Sequence, residues 1–327
     1  MMAAHRRWLM PLLIAATAVL AIGSVLVGKI TLTWAMWSAQ DEITRTIFLE
    51  LRVPRALLGI VIGMALGLAG AAMQAYLRNA LADPGTLGIS AMAALGAVLS
   101  MFFDVAGLHP WALPIAGVLG GIVGMAVLFL LSGLTASALT LVLAGILLST
   151  LAIAGVSLVL SLSPNPWAAG EIVRWMLGAL TDRSIDDLVF ATPIIAVGSA
   201  LILSCREALN ALTLGELGAR SLGIDLSSIQ WRLCIGVGLV VGASVAVTGM
   251  IGFVGLVVPH LLRPLVGARP SALLIPSAFG GAILVLAGDI VVRLLPGGSE
   301  VQLAVVMSVI GAPFFFALLY SLRRRLV

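Results

Sequence analysis

Nine long apolar runs dominate the chain, and short polar stretches separate them. The runs cover residues 8–28, 56–77, 86–103, 111–134, 138–162, 187–204, 231–251, 271–292 and 303–322, and a shorter run broken by prolines covers 252–267. Runs of this length can cross a hydrocarbon core of about 30 Å as helices. The pattern therefore predicts about ten transmembrane helices.

The backbone of these runs must satisfy its own hydrogen bonds, because lipid offers no partners. The period-two alternation that a membrane β-barrel needs is missing. Composition agrees, since 61% of the 327 residues are hydrophobic and only 10% are charged, a balance that would leave very large apolar patches on a water-soluble domain. We interpret the chain as an all-α integral membrane protein with a single transmembrane domain over residues 1–327.

The distribution of charge predicts the orientation in the membrane. The first run follows basic residues as a signal peptide would, but no small-residue cleavage pattern ends it, so we expect it to be retained as a helix. If it starts inside, eleven of the 18 Lys and Arg residues and four of the 14 acidic residues lie on the cytoplasmic side. The positive-inside rule supports this arrangement, with both termini cytoplasmic. The net charge of +4 then reflects topology and does not indicate nucleic-acid binding.

Glycines recur at four-residue spacing within single runs. Gly59, Gly63 and Gly67 share one helix face, and Gly117, Gly121 and Gly124 nearly do. Small residues let helix backbones approach closely in lipid. We expect close helix packing at these positions, although room for a bulky solute is the alternative.

The chain carries no recognisable catalytic or metal motif. Its only lysine, Lys29, is not part of a phosphate-binding loop, and neither HExxH nor GxSxG occurs. Cys205 and Cys234 lie far apart in sequence without the spacing of a zinc site or a disulfide scaffold. We therefore expect no enzymatic activity, no metal site and no cofactor in this chain.

An ion-coupled secondary transporter is the alternative from another functional class. Such a transporter would normally keep a carboxylate or basic relay at mid-membrane. The ionisable candidates Glu171, Asp289 and Arg293 lie near the predicted helix ends, which disfavours this alternative. His260 fits either a relay or a helix-end histidine and stays unassigned.

Five motifs occur in order between about residue 50 and the C-terminus. They are RVPR at 52–55, MQAYLRNALADPGTLG at 73–88, GMIGFVGLVVPHLLR at 249–263, GDIVVR at 288–293 and GAPF at 311–314. Together with Leu214-Gly215-Glu216, they resemble the permease subunits of type II ABC importers, the FecCD/BtuC-like family. As an ordered set they are far more specific than any one of them alone.

The resemblance implies a fold, partners and a cargo. It implies a BtuC-like homodimer in the bacterial inner membrane, two cytoplasmic ATP-binding-cassette ATPase subunits that hold ATP and Mg, and a periplasmic or lipid-anchored substrate-binding protein. The family imports iron chelates, haem and cobalamin, and we expect an iron chelate here, with haem or a ferric siderophore favoured and cobalamin as the alternative, because Arg174, Trp175 and Met176 suit a large, flat or hydrophobic anion. The chain itself would supply only the pathway, and energy would come from the ATPase.

The resemblance also assigns roles at the two membrane faces. A cytoplasmic coupling loop at about 205–230 would contact the ATPase through Leu214, Gly215, Glu216, Leu217, Gly218, Ala219, Arg220, Ser221, Leu222 and Gly223. Arg52, Arg55 and Arg293 would receive acidic residues of the binding protein at the outer rim. The alternative for these arginines is that they anchor helix ends or pair with Glu50, Asp289 and Glu300.

The resemblance further predicts a gate and a pathway. The cytoplasmic gate would comprise Asn79, Leu81, Ser137, Ala138 and Leu139, although Ala80 stands where the family more often has proline. Arg174, Trp175 and Met176 would line the substrate path near its outer mouth, where a cation, an aromatic ring and a thioether suit a large, flat anion. An interfacial anchor is the alternative for these three residues.

Overall fold

A computed structural model describes residues 2–28, 42–132, 138–163, 165–267, 269–296 and 301–326. Within these ranges the chain is helical and contains no strand. The main helices are α1 (Met2–Leu26), α2 (Val53–Tyr76), α3 (Ile89–Phe102), α4 (Ala112–Ser132), α5 (Ala138–Ser161), α6 (Pro166–Met176), α7 (Ile185–Ser204), α8 (Arg206–Ala211), α9 (Gly215–Ser221), α10 (Leu226–Thr248), α11 (Val254–Val266), α12 (Pro270–Leu294) and α13 (Leu303–Leu326).

The helices follow the predicted apolar runs closely. Six of those described are long and apolar enough to cross a membrane, namely Trp8–Leu26, Glu42–Tyr76, Leu139–Ser161, Ile185–Ser204, Leu226–Thr248 and Pro270–Leu294. Four shorter apolar helices cover Ile89–Phe102, Ala112–Leu128, Val254–Val266 and Leu303–Leu318. The prediction of an all-α membrane protein is confirmed. A short helix and a π-helical turn (Glu42–Thr46 and Ile47–Arg52) precede α2 without a break.

Polar side chains define several helix starts. The side chain of Asn165 accepts a hydrogen bond from the backbone N–H of Ala168 at the start of α6, and that of Asp225 accepts one from Ser227 at the start of α10. Ser184 and Asp187 form a reciprocal capping box at the start of α7. Such caps satisfy backbone donors that the first helical turn leaves without partners. They mark where the polar connections between spans end.

The closest helix contact joins α2 to α12. A Cβ atom added at Gly63 would lie 2.5 Å from the carbonyl oxygen of Gly281, and one added at Gly67 would overlap the carbonyl oxygen of Ser277. Gly59, on the same face, lies against the side chain of Leu286. The predicted close packing of this glycine face is therefore confirmed. Dispersion between backbones this close can hold two helices together where lipid provides no hydrophobic drive.

The second glycine face packs α4 between its neighbours. A Cβ atom at Gly117 would lie 2.8 Å from the Cβ of Ala246 on α10, and one at Gly121 would lie 3.2 Å from the Cα of Gly242. Gly124 is in contact with Met92 on α3. This face is also a packing face, as predicted.

We expect Gly67→Ala to destabilise the protein, whereas Gly170→Ala should be tolerated. The new methyl group at position 67 would displace the Ser277 carbonyl, and overpacking of this kind costs about 1–3 kcal/mol. Position 170 lies in α6, and nothing lies within 4 Å of an added Cβ there. Thermal unfolding midpoints of the purified variants in one detergent measure the difference. Equal midpoints would contradict the assigned contact between α2 and α12.

Candidate functional site

The candidate functional residues lie at opposite ends of the bundle. One end, called here the loop end, contains α8, α9 and the turn that follows α2. The other, called here the Asp289 end, contains the start of α2 and the ends of α1 and α12. The two ends differ in chemistry, because the Asp289 end contains a buried ion cluster and the loop end contains short surface helices.

The loop-end segment is firmly attached to the bundle. Ala208, Leu209 and Ala211 of α8 are buried in the core. The Asn210 side-chain nitrogen donates to the Ser271 hydroxyl at 2.9 Å, and the Ser271 backbone nitrogen donates to the Asn210 side-chain oxygen at 3.0 Å. Ser271 lies in the first turn of α12, so this reciprocal pair fastens the segment to the same helix that packs on α2.

Two glycines with positive φ angles bound helix α9, one at its first residue and one just after its end. Gly215 and Gly223 have φ angles of +87° and +79°, values that strain any residue with a Cβ atom. Ala219 is fully buried, whereas three leucines are well exposed, namely Leu214, Leu217 and Leu222. A 3-10 turn at Leu212–Leu214 joins α9 to α8.

A buried carboxylate organises the Asp289 end. Arg55 Nη2 donates to Asp289 Oδ1 at 2.7 Å, and Arg293 Nε donates to Asp289 Oδ2 at 3.0 Å. Asp289 is 1% exposed. Arg293 Nη1 also donates to the Ser24 carbonyl at 2.6 Å. The two guanidiniums thus neutralise a carboxylate that could not otherwise be buried in its charged form.

Arg293 and a third arginine, Arg52, hold the end of α1. Arg52 Nη1 donates to the carbonyl oxygens of Val25 and Leu26 at 3.1 and 3.0 Å, and Arg293 Nη1 donates to that of Val27 at 3.0 Å. Carbonyls at a helix C-terminus have no partner within the helix, and cations complement the helix dipole there.

These contacts bear on the predicted docking residues. Arg52 and Arg293 are buried, and Arg55 retains 11% exposure of its side chain. The alternative to docking was internal pairing with acidic residues, and the structure shows pairing with Asp289 for Arg55 and Arg293. Glu300 lies outside the described residues. The docking role itself stays a prediction.

The predicted gate residues are only partly brought together. Leu81 lines a cavity of about 410 Å³ together with Asp83, Gly85, Gly252, Phe253, Leu256 and Phe315. The Asn79 side chain holds this turn by accepting from the Leu81 backbone N–H at 3.0 Å. Ser137 lies outside the described residues, Ala138 is the first residue of α5, and Leu139 is exposed and absent from the described lining. The gate role stays a prediction.

Sequence reasoning gave no role to Asp83 in this cavity. Its carboxylate accepts from the Gly85 backbone N–H at 2.9 Å and lies close against Gly255, where a Cβ atom would come within 2.7 Å of it. Burial raises the pKa of Asp83 to about 6, and the bond from Gly85 opposes this shift. An aspartate directly before a proline and a short helix is a capping signal in the sequence, but its partial burial against Gly255 is visible only in three dimensions.

The predicted path residues differ in exposure. Arg174 is exposed on α6, whereas Trp175 is half-buried and packs against both hydrophobic core clusters. Met176 is also half-buried, and its carbonyl accepts from the Met250 backbone N–H at 3.4 Å. The substrate-path role of these three residues stays a prediction.

Cys205, Cys234 and His260 are the remaining candidates for reactive chemistry. Cys205 and Cys234 are free and buried, and burial raises the pKa of the Cys205 thiol. The His260 ring contacts Phe314 edge to face, with ring centroids 5.8 Å apart. Among the described residues no three His, Cys, Asp or Glu side chains cluster as metal ligands would.

Comparison with known proteins identifies the family. The model of the FecCD transport family matches residues 11–321. The chain belongs to this family. Members are permease subunits of ABC importers, which perform no catalysis themselves and work with a separate ATPase and a substrate-binding protein. As a FecCD permease, the protein is a multi-pass protein of the bacterial inner membrane.

Individual relatives match this FecCD permease over most of its length. The vitamin B12 import system permease protein BtuC of Vibrio cholerae is 36% identical over 90% of this chain and 88% of its own. The hemin transport system permease protein HmuU of Yersinia pestis is 34% identical over 98% and 97%. A solved inward-facing structure, described as a metal-chelate type ABC transporter, matches with a TM-score of 0.85 and 32% identity over 97% and 99%.

We expect Asp289→Asn to destabilise the permease strongly, and Glu207→Gln to have little effect. Removing the buried charge leaves two guanidiniums without their anion, at a cost of about 3–5 kcal/mol. Glu207 pairs with Arg206 at 3.4 Å on the surface, where a pair contributes at most about 1 kcal/mol. Thermal unfolding in detergent compares the variants. Similar losses in both would contradict the assigned ion cluster.

Asp83 predicts a specific pH dependence of stability. Its ordinary pKa is 3.8 and its pKa in the folded protein is about 6, so the folded state binds the proton more tightly. Stability attributable to this group is complete below about pH 4 and is lost as the pH rises through about 6, by on the order of 1–3 kcal/mol. Asp83→Asn should remove this component. Parallel unfolding profiles of wild type and variant from pH 4 to 8 would contradict it.

Proposed function

We propose that this permease moves an iron chelate across the bacterial inner membrane, with haem or a ferric siderophore as the favoured cargo. It would act as a homodimer that receives cargo from the binding protein and energy from two ATPase subunits. Family membership over nearly the whole chain supports the importer role, and the similarity to a hemin permease and to a metal-chelate type transporter supports an iron chelate as cargo. Cobalamin is the second candidate, because the vitamin B12 relative resembles the chain as strongly as the hemin relative does.

The exposed face of α9 supports contact with the ATPase. Leu217 is 83% exposed and Leu214 is 68% exposed, at an end of the bundle that also carries exposed polar residues. Large apolar side chains left in water favour a protein partner that covers them. In this proposal the loop end is cytoplasmic, the ATPase covers α9, and Leu81 and Asn79 contribute to the nearby gate.

The opposite end would then face the binding protein. Of the three predicted docking arginines, Arg55 is the one with side-chain exposure, and a guanidinium can contact a second carboxylate while it holds Asp289. Binding-protein stimulation of ATP hydrolysis in an Arg55→Lys variant tests this role, because lysine keeps the positive charge beside Asp289 and loses the two-pronged geometry that a second carboxylate would need. Unchanged stimulation would contradict it. Arg293 is a poor test residue because its burial couples any substitution to folding.

Uptake into proteoliposomes tests the proposed function. The permease is reconstituted with its co-encoded ATPase, and the binding protein is loaded in turn with haem, a ferric siderophore or cobalamin, with and without internal ATP. We expect uptake of an iron chelate that depends strictly on ATP. Uptake of cobalamin alone would replace the cargo assignment, and uptake driven by a proton or sodium gradient without ATP would contradict the importer.

Leu217→Asp should uncouple transport while leaving the fold intact. The side chain is almost fully exposed, so the substitution acts on the contact with the ATPase and not on packing. Placing a carboxylate in an apolar contact should reduce uptake and complex recovery by about tenfold or more. Leu217→Met is the matched control and should retain both. Normal uptake in the aspartate variant would contradict the coupling role of α9.

A further inference from the structure

A cavity at the loop end is lined by three arginines. It has a volume of about 340 Å³ and lies between the end of α2, the turn before α9 and the junction of α11 with α12. Its described lining contains Ala71, Gln74, Ala75, Arg78, Thr213, Arg263, Gly267, Arg269, Pro270 and Leu273, and none of these is acidic. Neither the gate nor the α9 contact uses this cavity.

Arg263 is held in place before any ligand arrives. The buried Gln74 side-chain nitrogen donates to the carbonyls of Gly255 and Leu256, each at 3.2 Å, which fixes the orientation of its amide. The Gln74 side-chain oxygen then accepts from Arg263 Nη2 at 2.8 Å. A guanidinium positioned in this way loses little conformational freedom when it binds an anion.

One donor of Arg263 is without an acceptor. Its Nε atom is shielded from solvent and has no hydrogen-bond partner among the described residues. A buried donor on a charged group is costly to leave unsatisfied. The Arg263 side chain therefore has donor capacity that the described protein groups leave unused, and the same side chain belongs to the lining of the cavity.

The charge of the three arginines is not balanced locally. In the described part of the chain, Arg78, Arg263 and Arg269 form no ion pair with a carboxylate, in contrast to Arg55 and Arg293 at the other end. Like charges around one cavity repel each other, and a bound anion would relieve that repulsion. Guanidinium groups suit phosphate in particular, because they can donate two parallel hydrogen bonds to it.

The location of the cavity indicates where the phosphate comes from. Arg263 lies in the last turn of α11, and Arg269 immediately precedes α12, so both lie at ends of apolar helices, where headgroups are found. Leu261 and Leu265 of α11 are each 55% exposed and offer apolar surface for an acyl chain. Basic pockets between membrane helices are suited to anionic headgroups.

We propose that this cavity binds the phosphate group of an anionic phospholipid. The guanidiniums of Arg78, Arg263 and Arg269 donate to the phosphate oxygens, and the acyl chains lie along α11. The site adjoins the coupling segment, because Thr213 of the turn before α9 belongs to its lining.

Lipid retention in native mass spectrometry tests the proposal. The purified permease is exchanged into detergent with phosphatidylglycerol or phosphatidylcholine, and inorganic phosphate is added in a separate arm. We expect wild type to retain phosphatidylglycerol in preference to phosphatidylcholine. Arg263→Gln and Arg269→Gln should each bind it about tenfold more weakly, as expected for loss of a charge-assisted contact.

Arg232→Gln serves as the matched control. Arg232 is exposed near the start of α10 and does not belong to the cavity lining, so this variant should retain phosphatidylglycerol as wild type does. Arg269 is also exposed, so its substitution tests the site without disturbing the core. Equal retention by wild type and both cavity variants would overturn the site. Stabilisation by inorganic phosphate without retention of the lipid would overturn the lipid assignment.

Discussion

The backbone contact between α2 and α12 is the constraint on which the rest of the arrangement depends. Lipid gives two helices no hydrophobic reason to associate, so they must gain their attraction from close approach. Gly63 and Gly67 allow the carbonyls of Gly281 and Ser277 to come so near that no side chain fits between them. Helix α12 then carries attachments at both of its ends.

Those attachments connect the two functional ends of the bundle. At the start of α12, Ser271 holds Asn210 of the loop segment through two hydrogen bonds. Near the end of α12, Asp289 forms ion pairs with Arg55 of α2 and with Arg293. Arg293 also donates a hydrogen bond to the end of α1. In the proposed function, a displacement of α9 by the ATPase would be transmitted to α12 through the Asn210–Ser271 pair. It would reach α2 through the glycine contact, because closely packed helices move together more readily than they deform.

Much of the fold could be predicted because the membrane imposes it. Length and apolarity determine a spanning helix, and the glycine spacing indicated which faces would meet. The functional sites were harder to predict from the sequence. An arginine at a helix end is compatible both with docking and with internal pairing, as Arg293 illustrates. Long-range partners decide between the two, and Ser24 lies far from Arg293 in sequence. Gln74, Asp83 and Arg263 gain their roles from contacts in or with α11, which no local pattern reveals.

The central claim is that energy from the ATPase enters through α9, and site-directed cross-linking measures this most directly. A cysteine is introduced as Leu217→Cys, where the native Cys205 and Cys234 give little background because both are buried. The complex with the co-encoded ATPase is then treated with a short bifunctional reagent, with and without ATP. The account predicts an efficient cross-link from position 217 to the ATPase that changes in yield between nucleotide states. A stable, active complex in which position 217 never cross-links to the ATPase would contradict it.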